Sequence, residues 1–425
     1  MTASHTDPQP AAAPAGAGTT RVRIRFILTF FLANAGMFAV FQGMQQILVP
    51  TRVAEIDPEG KIASLGLLAS LGALAAALGS PLFGALSDRT RSRFGRRAPW
   101  ILLAAALVLV PMALMANMTD LFWVGAGYIG VMLTASAFQA AITAVIPDRV
   151  PENRRGLVSS VIGVATFVGV LFGINVATAF LGVPILAYTL VASLLVVGAI
   201  LFVILAPDAP ATQALPRPEG SLVHRVGRFF SGLRDHDLAW AFWARVTIML
   251  GFWTVSTYQL YTLSDYIGVE NLPEQNPAVA VAVLGSINLV ISLISTVIAG
   301  PLSDRANRRK IFVVIASVGM GVAAIVPLVW PTFLGMLVYG ALLGFFFGIF
   351  TAVDQAIMTL VLPRQEDAAR DLGMLNVATS GPQIAGPFVA ALLLGIFGGF
   401  PALFIFSAVT ALLSAFFILP IRKVR

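Results

Sequence analysis

Cysteine is absent from this 425-residue chain. Its absence excludes disulfides and thiolate metal sites and leaves the redox compartment open. Charge is scarce as well. Asp, Glu, Lys and Arg make up 11% of the residues, against about 25% in an ordinary soluble domain. With 58% hydrophobic residues, the chain has more apolar surface than one aqueous core can bury, and a lipid bilayer is the second solvent that fits. Lysine occurs only as Lys61, Lys310 and Lys423, and none completes a Gly-x-x-x-x-Gly-Lys-Ser/Thr loop, so a nucleotide-driven motor within the chain has no support. The three histidines, His5, His224 and His236, all fall outside the apolar runs. They form neither a metal site nor a proton relay inside a membrane. No cofactor is expected, and nothing marks an enzyme.

Twelve apolar runs approach or exceed the roughly 20 residues that a bilayer-spanning helix needs. They cover about 26–49, 63–86, 100–118, 121–146, 156–181, 184–205, 239–263, 278–302, 311–330, 332–361, 371–398 and 400–419. Pro184 and the pair Gly398–Gly399 break the two shortest separations. An even number of spans places both termini on one side. Of 27 basic residues, 24 lie in segments on that side; Arg52 and Lys61 lie opposite, and Arg245 lies inside a span. The bias of Lys and Arg toward cytoplasmic loops therefore predicts cytoplasmic termini in a multi-pass plasma-membrane protein. The same clustering explains the net charge of +7 without a nucleic-acid partner.

This pattern divides the chain into five parts. Residues 1–25 read as a disordered tail, rich in Ala, Pro, Gly and Thr and ending in Arg21, Arg23 and Arg25. They are not read as a signal peptide, because the small residues precede the apolar stretch. Residues 26–205 form a first six-helix bundle and 239–419 a second, with a short tail over 420–425. The linker 206–238 begins with Pro207–Pro218. Leu222, Val223, Val226, Phe229, Phe230 and Leu233 then recur at helical spacing among arginines, as in a helix lying on a membrane surface; an irregular linker is the other reading.

The two halves resemble each other. Gly84-Ala-Leu-Ser-Asp88-Arg89 matches Gly300-Pro-Leu-Ser-Asp304-Arg305 at an offset of 216. Gln139-Ala-Ala-Ile-Thr-Ala-Val-Ile-Pro147 matches Gln355-Ala-Ile-Met-Thr-Leu-Val-Leu-Pro363 at the same offset. Two matches at one offset imply duplicated six-helix halves facing a shared cavity, the arrangement that alternating access needs. In the first loop, Asp88 is followed by Arg89, Arg96 and Arg97; in the second, Arg305 follows Asp304. A carboxylate at a helix end can bind such arginines and a neighbouring helix N-terminus. The loops read equally as a gate between the halves or as plain basic turns.

The Gly-x-x-Ser-Asp-Arg sequence followed by a basic run resembles the signature loop of the major facilitator superfamily, over nearly the whole chain. The longer form Ser87-Asp88-Arg89-Thr90-Arg91-Ser92-Arg93-Phe94-Gly95-Arg96-Arg97-Ala98-Pro99 is similar to the glycoside–pentoside–hexuronide:cation symporters and the plant sucrose carriers. The resemblance implies an all-α fold of two pseudo-symmetric six-helix bundles and symport of a small sugar or glycoside with a cation. Two departures stand out. Ala98 occupies a position that is commonly basic in the sucrose carriers, and 63–86 holds none of the carboxylates that melibiose-type carriers use for sodium.

Ionisable groups inside a span are costly and are functional candidates by default. Asp354 is the only acid well inside an apolar run, and Arg245 the only comparable base. In the superfamily, spans one, four, seven and ten line the cavity, so a charge pair is expected, with Asp354 as the coupling residue and Arg245 near the ligand. Alternatively, Arg245 snorkels to the interface and Asp354 serves a local helix contact. Expected ligand contacts are Asn34, Phe38, Gln42 and Gln45 on one face of the first span, with Phe252, Ser256 and Gln259 on the seventh. Gln139, Asn376 and Gln383 complete the set. Amides beside aromatic rings suit a neutral, hydroxyl-rich solute, although the same residues also hold membrane helices together. The expectation is a monomeric carrier that imports such a solute with a proton. The alternatives are a proton-driven exporter of apolar or cationic compounds and a non-transporting sensor on the same fold.

Overall fold

The computed structural model describes residues 24–208, 231–306, 308–360 and 368–422. Among these, twelve helices are long and apolar enough to cross a membrane. In chain order, spans 1 to 6 are Ile24–Ile56, Lys61–Arg89, Ala98–Asn117, Leu121–Arg149, Glu152–Ala179 and Pro184–Leu205. Spans 7 to 12 are His236–Thr257, Pro277–Ala306, Arg309–Val329, Phe333–Asp354, Gly373–Phe397 and Pro401–Ile418. The helices holding spans 10 and 11 run on over Phe333–Leu360 and Ala368–Phe397.

Local chemistry sets the boundaries. Span 7 starts at His236, three residues before the expected 239, because the Asp235 carboxylate caps it by accepting from the Leu238 N–H at 3.1 Å. Span 11 ends where Gly398 takes a left-handed φ of 68° and its N–H bonds to the Leu394 carbonyl at 2.9 Å. Proline at the first turn then starts span 12. Of the apolar residues expected to form the surface helix, only Leu233 lies among the described residues. It sits in a short 3₁₀ turn, Ser231–Arg234.

Two spans depart from simple α-helix. Span 1 contains a π-helical turn, Met44–Leu48, in which the Val49 N–H bonds five residues back to Met44. Pro50 follows this turn and has no N–H to offer the Gln46 carbonyl. Span 7 is followed by Gln259–Tyr261 and a second π-helical turn, Thr262–Gly268. The two wide turns start 218 residues apart, close to the sequence repeat, so both halves widen at equivalent places.

The packing obeys the same duplication. Span 1 packs on 5 and 6 as span 7 packs on 11 and 12; span 2 packs on 4 as 8 packs on 10; and span 3 packs on 4 and 6 as 9 packs on 10 and 12. Small residues allow the close approaches, as expected where lipid removes the hydrophobic drive between helices. Gly169 and Gly173 of span 5 lie against the backbone of Ala35 and Ala39 in span 1, and Gly344 and Gly348 of span 10 lie against Asn288 and Ser292 in span 8.

The halves meet through spans 2 and 11 and, less extensively, through spans 5 and 8. Among the described residues, every hydrogen bond and ion pair between the halves lies at the face opposite the one carrying Ile24 and Ile418. Lys61 Nζ reaches Asp265 at 2.7 Å. Tyr258 Oη donates to the Ile62 carbonyl at 2.7 Å, and Tyr261 Oη to the Pro50 carbonyl at 2.8 Å. Thr178 Oγ1 donates to the Ala278 carbonyl at 3.4 Å. The molecule is therefore clasped at the face remote from its termini.

Close glycine packing predicts opposite signs for two substitutions in span 5. A Cβ at Gly173 meets the Ala39 backbone, whereas one at Gly163 meets nothing within 4 Å. Gly173→Ala should cost about 1–3 kcal/mol through overpacking, and Gly163→Ala should gain up to about 1 kcal/mol of helix stability. Thermal unfolding of the purified variants in detergent decides it; equal melting temperatures would remove the packing account.

Candidate functional site

A cavity of about 450 Å³ lies between the halves. Helical spacing builds each wall. Span 1 contributes Phe38, Gln42 and Gln46, span 5 Thr166, Phe167, Val170 and Ile174, and span 8 Leu284, Asn288, Ser292 and Thr296, one turn apart. Span 7 and the turn after it, with span 10, add Phe252, Trp253, Ser256, Gln259, Tyr339, Phe347 and Thr351. The Phe252 and Phe347 rings stack at 4.7 Å between centroids, forming one aromatic wall across two helices. Among the described residues, no acidic or basic side chain lines the cavity. A second pocket of about 20 Å³, room for one water, lies on the side of spans 2 and 11. Gln45, Tyr128 and Gln383 line it, and Gln46, Trp253 and Ser256 stand between the two spaces.

Of the residues expected at the ligand, Phe38, Gln42, Phe252, Ser256 and Gln259 meet in the large cavity, and Gln45 and Gln383 in the small pocket. Asn34, Gln139, Arg245 and Asn376 line neither. Asn34 is buried and turns its amide back onto its own helix, donating to the Phe30 carbonyl at 2.8 Å. Sequence reasoning passed over Gln46, Asn288, Thr296 and Thr351. Asn288 and Thr296 were legible as polar residues at helical spacing on span 8, but the superfamily pattern pointed to spans one, four, seven and ten; Thr351 lies on span 10, one turn before Asp354, which drew the attention there.

Arg245 and Asp354 form the expected pair. Nε lies 3.3 Å from Oδ2, with side chains 10% and 7% exposed. Nε has no aligned hydrogen bond, so this is a charge contact. The apolar residues around it include Ile248, Met249, Phe350 and Val353. The pair therefore lies beside the cavity, not on its wall. Asp354 is three residues beyond Thr351, and Arg245 seven before Phe252, each on the face of its helix that leads to the lining.

The first Asp-Arg loop closes on itself. Arg97, with its side chain 5% exposed, reaches Asp88 at 2.6 Å and Asp148 at 2.9 Å, and its Nη1 donates to Ser87 Oγ at 3.0 Å. Gly95 makes the turn possible with a φ of 87°. Arg89 is exposed, Arg96 is half-buried, and neither has an ion pair among the described residues. In the second half, Asp304 pairs with Arg309 at 2.6 Å rather than with its neighbour Arg305. Both contacts stay within one half, so neither ties the halves together in this state. Asp148 was the residue missed here. Its counterpart at the offset of 216 is Arg364, so the repeat does not preserve the second carboxylate.

Two duplicated six-helix halves, clasped at one face around a cavity of solute size, define a membrane transporter rather than an enzyme. The Major Facilitator Superfamily profile matches residues 26–288 and 274–425, and the chain belongs to that superfamily of secondary transporters. Among solved structures, it is similar to the POT family transporter PepTSo, determined by in meso crystallisation. The TM-score is 0.70 at 13% sequence identity, over 93% of this chain and 97% of that one. At that identity the likeness shows the fold alone. No curated protein sequence matches the chain.

The loop geometry predicts that Arg97→Met lowers the melting temperature, because it leaves Asp88 and Asp148 facing each other without a cation. Arg97→Lys should recover only part of the loss, since an ammonium lacks the planar fork that serves both carboxylates and Ser87. Full recovery by lysine would show that charge alone matters there.

Proposed function

We propose that this protein carries a neutral, hydroxyl-bearing solute of glycoside type into the cell by alternating access, with a proton as the coupling ion. The observation that supports it is a cavity that no charged side chain among the described residues lines, in which Gln42, Gln46 and Gln259 stand beside aromatic rings and the buried Gln46 Oε1 has no hydrogen-bond partner among those residues. Such amides pair with hydroxyls, and rings cover the C–H face of a sugar. A formally charged solute would have to leave its hydration for a site without a counter-charge. The likeness of residues 87–99 to the glycoside–pentoside–hexuronide symporters agrees. Basic loops on the terminal side support cytoplasmic termini, and the observed state then faces inward.

Asp354 is the proposed proton carrier. It is the only acid deep in a span, and it faces Arg245 in an apolar setting. Protonation breaks the ion pair, and deprotonation restores it. In proteoliposomes with an imposed pH gradient, Asp354→Asn should equilibrate phenyl β-D-glucoside without accumulating it, while counterflow persists. Accumulation at the wild-type level would remove Asp354 from coupling. Export of apolar or cationic compounds is the second reading, favoured by six aromatic residues on the cavity wall. Uphill movement of such compounds outward, with no glucoside uptake, would select it.

The clasp at the remote face is the proposed outer gate. Lys61–Asp265 is the one ion pair between the halves among the described residues. Asp265→Asn should shift the population toward opening on that side. Because the chain has no cysteine, Ser256→Cys provides a single label inside the cavity. Its reaction with an impermeant maleimide added from the outer side should speed up severalfold in the Asp265→Asn background. An unchanged rate would mean that the ion pair carries no gating energy.

A further inference from the structure

We infer that Gln46, a residue outside the set expected from sequence, is the central recognition amide of the cavity and requires a hydrogen-bond donor on the solute. This rests on the neutral-solute reading and adds to it the identity of the selecting group.

Three observations converge on Gln46. It lines both the large cavity and the small pocket, at the partition it shares with Trp253 and Ser256. Its Oε1 is buried and has no hydrogen-bond partner among the described residues. Its place follows from helical spacing: Phe38, Gln42 and Gln46 stand four residues apart, each step only about 40° past a full turn. The π-helical turn Met44–Leu48 advances each residue by less and brings Gln46 further into line with Gln42.

Energetics then assign the role. A buried carbonyl oxygen without a partner costs about 1–3 kcal/mol, and natural proteins tolerate such groups mainly where function needs them. Asn288 also lines the cavity but is committed, donating to the Gly340 carbonyl at 3.0 Å. Gln46 has no such commitment among the described residues. A solute O–H or N–H that reaches Oε1 removes the penalty, whereas a solute with a methyl ether there leaves it in place. Sites of that kind discriminate strongly against analogues that lack the donor.

Gln46→Met keeps the length and removes both ends of the amide. Two measurements on the purified full-length protein decide the matter. The first needs no ligand: the melting temperature of Gln46→Met should equal or exceed that of the wild type, because an unpartnered polar group has been removed. A drop of several degrees would mean that the amide holds the fold together and would overturn the inference. The second uses phenyl β-D-glucoside and its tetra-O-methyl derivative, followed by tryptophan fluorescence, since Trp253 stands on the partition. The wild type should prefer the hydroxylated probe by at least tenfold, and Gln46→Met should lose most of that preference. An unchanged preference would also overturn it. If the wild type binds neither probe, the glycoside reading falls, and the melting temperature still decides whether Gln46 is a free recognition amide.

Discussion

Inside hydrocarbon, a helix has no water to satisfy a broken backbone hydrogen bond. That constraint underlies this architecture. It makes each apolar run a helix, and it leaves side-chain size as the main control over how closely two helices approach. Glycine at 169 and 173 brings span 5 onto span 1, and glycine at 344 and 348 brings span 10 onto span 8. Each half is thereby rigid where its own helices touch. Between the halves, the hydrogen bonds and the ion pair among the described residues all lie at one face, where Tyr258 and Tyr261 reach backbone carbonyls and Lys61 reaches Asp265, beside the apolar packing of spans 2 and 11. Few polar contacts need to break for the two bodies to rock.

The same constraint explains where the helices deviate. A proline in a span frees a carbonyl that must find another arrangement. In span 1 a π-helical turn stands ahead of Pro50. It brings Gln46 further into line with the side chains of Phe38 and Gln42 on the cavity wall. A matching turn follows span 7 and adjoins Tyr258, Tyr261 and Asp265, the residues that clasp the halves. In both halves, the irregular backbone and the functional side chains occur together.

Most of the fold was legible in the sequence because bilayer thickness and charge placement are strong, local signals. The span count came from run length, the duplication from one repeated offset, and the Arg245–Asp354 contact from the rarity of buried charge. The site was legible only in part. Phe38, Gln42, Phe252, Ser256 and Gln259 follow from helical spacing, and that spacing holds as long as the helix is regular. Gln46 stands four residues beyond Gln42, so helical spacing reached it, and the choice of its neighbour Gln45 for that face passed it over. Asn34 failed for a different reason: its amide can bond its own helix, a choice that residue type does not reveal. Asp148 was missed because its partner Arg97 is 51 residues away, and no spacing rule connects them.

The geometry of the buried pair bears on how a neutral cavity can sense a proton. Arg245 and Asp354 sit on spans 7 and 10, the helices that carry the stacked Phe252 and Phe347. Under the proposed coupling, a solute packed against that aromatic wall bears on the same two helices that set the Nε–Oδ2 distance. With an effective dielectric of about 20, widening that distance from 3.3 Å to about 6 Å gives up about 2 kcal/mol of attraction. Coupling free energies between sites in proteins fall in the range of about 1–3 kcal/mol, so a modest separation is enough. The carboxylate need not touch the solute to respond to it. Keeping the pair off the cavity wall also keeps charge away from a neutral ligand, which would otherwise compete with water for it. Under the proposed coupling, recognition and protonation occupy different places on the same two helices, and the stiffness of those helices carries the exchange between them.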